Sequence, residues 1–184
     1  MTRQQAMKLA EEAGFSHWGT FPVADLAFLP EVRAACEVNS CGRYDRSWSC
    51  PPACGTLEEN ERRARAYDWG LLVQTTGQME DDFDVEVMME AERLQKERLD
   101  ALCARLEGED CLPLGAGTCT MCPKCTYPEA PCRFPAKMRV SMEAFGLQVT
   151  DVCRAAGTPY YYGPRTITYT CCVLFGNDPA EERT

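Results

Sequence analysis

Apolar side chains recur at helical spacing through one long stretch of the sequence, residues 83–107, with charged residues between them. A period of about 3.6 residues is typical of an amphipathic helix. The same criterion, together with a capping residue such as Thr56 and a terminating Gly14, predicts shorter helices. These are placed at residues 2–13, 24–36 (interrupted near Pro30), 56–67 and 136–145.

Runs of apolar, aromatic and β-branched residues predict strands between these helices. The strands are placed at residues 15–21, 69–76, 112–116, 147–152 and 166–175. No period holds through residues 38–55, which contain glycine and consecutive prolines, so we expect an ordered loop there. Helices and strands that alternate without a linker predict one α/β domain over residues 1–184, a small mixed sheet with flanking helices. Two cysteine-rich metal-binding loops are expected within it, at about residues 36–54 and 117–135.

The composition is that of an ordinary soluble globular protein. The 184 residues are 45% apolar and 26% charged, which argues against intrinsic disorder. The first dozen residues hold no apolar signal segment, and the longest uncharged stretch, residues 111–123, is too short to cross a membrane. We therefore expect a cytoplasmic protein with no membrane span. The net charge of −9 would repel phosphate, so we also expect no nucleic-acid partner.

Cysteine is the anomaly in this composition, with 13 residues in the chain. An odd number cannot form a complete set of disulfides, and thiols in the cytoplasm stay reduced. Grouped cysteines in such a protein indicate metal ligands or catalytic groups. Eight of the cysteines fall into two groups, which carry the chemistry of the sequence.

The second group has the spacing C-x₂-C-x₂-C-x₆-C and comprises Cys119, Cys122, Cys125 and Cys132. Three thiols at successive x₂ intervals can wrap one face of an iron–sulfur cubane, and a more distant cysteine can complete the set. Zinc sites usually take two separated C-x₂-C pairs, which would leave one of these cysteines strained or spare. The spacing therefore favours a [4Fe–4S] cluster, with zinc and then unliganded structural cysteines as the alternatives.

The first group has the spacing C-x₄-C-x₈-C-x₃-C and comprises Cys36, Cys41, Cys50 and Cys54. Buried unliganded cysteines normally fall on periodic apolar faces, but this stretch has no helical or strand period. Four thiols within nineteen residues therefore indicate metal binding. Because the spacing of the second group favours iron–sulfur, we expect iron–sulfur rather than zinc in the first group as well.

The remaining cysteines are Cys103, Cys111, Cys153, Cys171 and Cys172. They lie in or beside predicted helices and strands, so we expect them in the core, with Cys172 and Cys153 as reserve ligands for the first group. The sequence has a single histidine, His17, which argues against a histidine-ligated site or a histidine-based triad. It also lacks the glycine patterns that bind nucleotides.

Three segments of the sequence carry a resemblance to a known family. They are Cys36 and Cys41-Gly with Tyr44, Trp48 and Cys50-Pro-Pro; Gly115-Ala-Gly leading through the second group to Cys132-Arg-Phe-Pro; and Tyr161-Tyr-Gly-Pro with the Thr-Ile-Thr-Tyr that follows. Over nearly its whole length the chain resembles a bacterial and archaeal family of predicted metal-binding proteins, domain of unknown function 2284. The resemblance implies metal binding through cysteines and supplies no reaction. It also implies that the fourth ligand of the first group is either Cys54 or Cys172.

We accordingly predict an iron–sulfur protein that binds two [4Fe–4S] clusters, one in each cysteine group, with an electron-transfer or redox-accessory role. Such a protein is more an electron carrier than a stand-alone enzyme, so no catalytic residue is assigned. Two alternatives are a zinc-binding structural or adaptor protein and an iron–sulfur enzyme with an open cluster site. The acidic charge suits a redox partner protein with a basic docking face. The two groups are more than sixty residues apart, and we expect the predicted sheet to separate them.

Overall fold

A five-stranded mixed sheet organises residues 1–176, the part of the chain that the computed structural model describes. The strands are β1 (His17–Pro22), β2 (Trp69–Gln78), β3 (Cys111–Gly115), β4 (Val140–Ser141) and β5 (Thr166–Phe175). Their spatial order is β1-β2-β5-β3-β4, and neighbours are antiparallel except for β3 and β4, which are parallel. The strand that comes last in the sequence, β5, is therefore the central strand.

The α-helices of the described residues are α1 (Arg3–Glu12), α2 (Pro30–Glu37), α3 (Leu57–Ala64), α4 (Val85–Arg105) and α5 (Val149–Ala155). Both α1 and α3 begin with a capping box, in which the Thr2 and Thr56 hydroxyls accept hydrogen bonds from the backbone three residues later. Asp84 caps α4 by accepting a hydrogen bond from the Val87 backbone N–H. Within residues 1–176, no helix combines the length and the apolar character that crossing a membrane requires.

The two faces of the sheet bury separate apolar cores. Side chains alternate along β2, so Leu71 and Val73 point to one face and Leu72 to the other. Leu99 of α4 joins Leu71 and Val73, together with residues of α1. On the opposite face, Leu72 packs in a cluster with Phe145 and residues of α3 and α5. The described chain is thus a single α/β domain with a mixed sheet, as the sequence predicts.

The predicted helix at residues 136–145 is wrong. Two 3₁₀ turns occupy its ends, and the short strand β4 lies between them. Val140 and Ser141 pair in parallel with Leu114 and Gly115 of β3 and so extend the edge of the sheet. Met138, Val140 and Met142 alternate with polar residues, and this period of two favours a strand.

The segments on either side of this region also differ from the prediction. The predicted strand at residues 147–152 is wrong, because α5 begins at Val149. Burial of Val152 and Cys153 against the sheet overrides the β-propensity of the segment. The predicted helix at residues 24–36 is shortened to α2, which begins at Pro30, since proline is favoured in the first turn and disruptive further along.

Candidate metal centre

Both cysteine groups lie mainly in irregular segments, and regular elements fix the ends of each. The first cysteine loop, residues 36–55, begins in the last turn of α2 and ends just before α3. The second cysteine loop, residues 116–134, follows β3 and leads to the 3₁₀ turn before β4. The ordered loop predicted at residues 38–55 is confirmed.

The two cysteine loops pack directly against each other. The Cys119 backbone N–H donates to the Ser49 hydroxyl oxygen at 3.0 Å, and the Cys50 Sγ lies 3.3 Å from the Thr118 Oγ1. The expectation that the sheet separates the two groups is therefore wrong. Helix α2, which leads into the first loop, packs on the 3₁₀ turn after β4. This packing brings the first loop to the edge of the sheet at which the second loop begins.

Trp48 makes a further contact between the loops, which we call the Trp48 contact. Its indole Nε1 donates to the Ala130 carbonyl at 3.0 Å, and its ring stands edge-on to Tyr127 with centroids 4.9 Å apart. The Tyr127 hydroxyl in turn donates to an Asp45 carboxylate oxygen. Sequence reasoning missed this role. Two aromatic residues within polar, cysteine-rich loops were the available signal, because buried aromatic rings seek both packing and a polar partner.

The thiols of the first group influence one another. Burial raises the pKa of the Cys36 thiol, the Arg33 guanidinium opposes that rise, and the nearby Glu143, Cys41 and Cys50 add to it. These three cysteines are therefore close enough to interact electrostatically. Deprotonation of one thiol makes deprotonation of the next harder unless a cation compensates for the charge.

Arg33 supplies such a cation beside Cys54. Its Nη1 donates to the Cys54 Sγ at 3.5 Å, and the guanidinium also donates to the Ala144 and Gly55 carbonyl oxygens. Burial raises the pKa of the Cys54 thiol, while the charge and the hydrogen bond of Arg33 lower it. Three fixed acceptors hold the guanidinium in place, so it lies where a thiolate at Cys54 would need it.

The cysteines of the second group line one cleft of about 910 Å³ between the two loops. Partial burial disfavours ionisation of Cys125, but the polar groups beside it have the larger combined effect. They are the backbone N–H groups of Trp48, Tyr127 and Thr126 and the Ser47 hydroxyl, and together they lower the pKa of the Cys125 thiol. Hydrogen bonds of this kind stabilise a thiolate, which is the form that binds metals.

The eight cysteines are not drawn into a closed coordination sphere. Within residues 1–176, no group of three His, Cys, Asp or Glu side chains is placed so that it could hold a metal ion. The structure brings the two cysteine loops together, lowers the pKa of the Cys125 thiol and places the Arg33 guanidinium beside Cys54. The two sets of four ligands remain a prediction from the sequence.

Comparison of the sequence with protein families identifies a related family. A family model described as "Predicted metal-binding protein (DUF2284)" matches residues 20–175. The chain belongs to this family. Both cysteine loops and all of β2 to β5 lie inside the DUF2284 match, whereas α1 lies outside it. Comparison with curated proteins found no match, and comparison with solved structures found none either. Membership in DUF2284 and the 13 cysteines of the chain support a metal cofactor. The match does not specify which metal.

The cysteines outside the two loops have the character of core residues in this DUF2284 chain. Cys153, Cys171 and Cys172 are buried, and Cys103 and Cys111 are partly buried. Burial raises the pKa of Cys171 to about 12 and that of Cys172 well above its ordinary value, so both stay neutral thiols. The Cys172 thiol is influenced by Cys171 and Cys153, whereas Cys54 is influenced by Cys50.

Proposed function

We propose that this protein binds two [4Fe–4S] clusters and has an electron-transfer or redox-accessory role. Cys119, Cys122, Cys125 and Cys132 would hold one cluster, and Cys36, Cys41, Cys50 and Cys54 the other. The observation that carries the proposal is the C-x₂-C-x₂-C run of the second loop, since successive x₂ spacings suit a cubane better than a single zinc ion.

The residues around the cysteines fit such a group. The polar groups beside Cys125 and the guanidinium beside Cys54 stabilise thiolates, and hydrogen bonds to ligand sulfurs also tune the potential of an iron–sulfur centre. When bound, the clusters would supply one-electron transfer. The chain's own contribution is to hold the thiolates, to donate to their sulfurs and to limit their exposure to water.

A zinc-binding structural or adaptor role is the second candidate. It is favoured by the contact between the loops, because a metal held there would tie two long irregular segments to each other. Eight cysteines could make two Cys₄ zinc sites, which stabilise a fold without redox chemistry. An iron–sulfur enzyme with an open cluster site is the third possibility, which a first group of only three cysteine ligands would permit.

The proposed partner is a redox protein with a basic docking face. The chain carries a net charge of −9, and opposite charge on a partner accelerates encounter. This part of the proposal concerns the acidic surface outside the two cysteine loops.

Metal and sulfide analysis tests the proposal. Protein purified without oxygen should be brown and should contain roughly eight irons and eight acid-labile sulfides per chain, because each cubane holds four of each. A Cys119→Ser variant should lose about half of both, whereas the matched Cys103→Ser variant, outside the loops, should keep them all. Colourless protein with about one zinc per group and no sulfide would establish the zinc alternative instead.

A further inference from the structure

The charge of the two cysteine loops is opposite to that of the whole chain. Residues 36–55 and 116–134 hold four Lys or Arg and three Asp or Glu, a formal charge of +1, although the chain as a whole carries −9. The four basic residues are Arg43, Arg46, Lys124 and Arg133. The two loops are thus slightly positive, whereas the rest of the chain carries a formal charge of −10.

All four of these cations line the cleft of about 910 Å³. All four residues are exposed, and none forms an ion pair with a carboxylate of residues 1–176. Arg133 is positioned by a hydrogen bond from its Nη1 to the Lys124 carbonyl at 2.9 Å. The cleft lining contains one carboxylate, Asp45, which accepts from the Tyr127 hydroxyl.

Several cations on the helices, in contrast, do form ion pairs. On α4, Arg93 pairs with Glu90 and Glu97, each at 2.6 Å, and Lys96 pairs with Glu92 at 2.6 Å. The acidic composition therefore supplies carboxylate partners to several cations on the helices, whereas none of the four cleft cations has one among residues 1–176. Unpaired guanidinium groups that face one concave space create a positive field, which a low-dielectric wall concentrates.

The dimensions and walls of the cleft indicate the size of the ligand. Its volume falls in the range of sites that enclose small molecules, about 300–1,000 Å³. Tyr44, Trp48 and Phe134 give it an aromatic wall beside the cations. Guanidinium groups bind carboxylates and phosphates with two parallel hydrogen bonds, so several of them favour a ligand with more than one such group. A long polyanion would also meet the acidic remainder of the surface, which repels it.

We infer that the cleft between the two cysteine loops binds a small organic anion that carries two or more carboxylate or phosphate groups. The ligand would lie beside the cysteines of the second group, within reach of Arg46 and Arg133. The inference does not require the metal, since the cations belong to the chain itself. A bound centre of charge −2 in the second group and the Asp45 carboxylate would together bring three negative charges to the cleft. The four cations would still exceed them.

Calorimetry with two probes tests the inference, one a carboxylate (trimesate, a benzene tricarboxylate) and the other inorganic pyrophosphate. Each is titrated into the protein as purified, and the metal content is measured before and after to detect chelation. We expect saturable binding of at least one probe that weakens as salt is added. The probe that binds more tightly distinguishes a carboxylate ligand from a phosphate ligand.

An Arg46→Gln/Arg133→Gln double variant should bind the preferred probe about tenfold more weakly or worse, as expected from the loss of charge-assisted hydrogen bonds. The matched control is Arg62→Gln/Arg154→Gln, which removes two exposed cations outside the cleft and should leave binding unchanged. Equal weakening in both double variants would overturn the site. So would the absence of binding by either probe, or tight binding of a single-stranded oligonucleotide alone. Metal analysis of the same samples reports on the proposed function separately, so either idea can fail without the other.

Discussion

At the scale of single residues, Cys125 and Cys171 have opposite electrostatic environments. Hydrogen-bond donors lower the pKa of Cys125, whereas complete burial raises the pKa of Cys171 to about 12. The first environment favours a thiolate and the second a neutral thiol. The sequence pattern also distinguishes these two residues, because Cys125 lies in a loop without a helical or strand period, whereas Cys171 lies in the apolar run of β5.

The fourth ligand of the first group is a residue-scale prediction. We expect Cys54→Ser to lose about half of the bound metal, as Cys50→Ser should, because Cys54 lies beside Cys50 and Arg33. Cys172→Ala should keep all of it, since the Cys172 thiol is influenced by Cys171 and Cys153 in the core. Metal and sulfide content of the purified variants is the measurement.

The opposite result, loss in Cys172→Ala and retention in Cys54→Ser, would move the ligand to the central strand. Full retention in both variants would indicate a site with three cysteine ligands and would favour the open-site enzyme. Circular dichroism of each variant checks that the fold is intact.

Gly19 tests how closely α5 approaches the sheet. A Cβ at this position of β1 would lie 2.2 Å from the Ala156 carbonyl oxygen, a backbone atom that cannot move by itself. We expect Gly19→Ala to destabilise the protein by about 3 kcal/mol, at the upper end of overpacking, which corresponds to about 6–12 °C in melting temperature.

Gly176→Ala is the matched control for that substitution. Among residues 1–176, its added Cβ would meet only the end of the Asp110 side chain, at 3.3 Å, and that carboxylate can rotate away. Thermal melts followed by circular dichroism should show a shift for Gly19→Ala and little for Gly176→Ala. Similar melting temperatures for the two variants would mean that α5 sits further from β1.

At the scale of elements, the sequence predicts best where one period runs over many residues. The pattern of α4 and the β-branched run of β5 are long, and both predictions are confirmed. The prediction fails over residues 136–152 because each element there is too short to show a hydrophobic period. The contact between the cysteine loops was not predictable either. It depends on how α2 packs near β4, which no local pattern encodes.

The Trp48 contact gives an element-scale prediction. Trp48→Ala removes both the hydrogen bond to Ala130 and the edge-on packing against Tyr127, so the loops should separate more often. Trypsin should then cut faster after Lys124 and Arg133, the cations of the second loop. Peptide mass spectrometry against time measures the rate.

Trp48→Phe is the informative comparison, since it keeps an aromatic ring against Tyr127 and removes only the indole donor. We expect it to be cleaved at a rate between those of the native protein and Trp48→Ala. Cleavage after Arg154, on α5 away from the loops, is the internal standard. An equal rise at all three positions would mean that Trp48→Ala loosens the whole fold rather than the contact between the loops.

At the scale of the whole molecule, charge governs the proposed electron transfer. Two clusters of charge −2 each would take the formal charge from −9 to about −13. Electron exchange with a basic redox partner should therefore slow by about tenfold or more from low to high salt, because salt screens electrostatic steering. Stopped-flow absorbance across a salt series measures this rate, with a small uncharged reductant as the control. A flat response to salt would place docking away from the acidic surface.

The central position of β5 has a consequence for how the protein is made. Ribosomes add about 5–20 residues each second, so roughly 7–28 s separate the synthesis of Cys36 from that of Phe175 at the end of β5. Between the synthesis of Cys132 and that of Phe175, about 2–9 s at the same rate, all eight loop cysteines have been made, but the strand that joins β2 to β3 is not complete. The loop thiols are thus present before the sheet that positions the two loops has formed. This strand order therefore leaves them open to oxidation during synthesis.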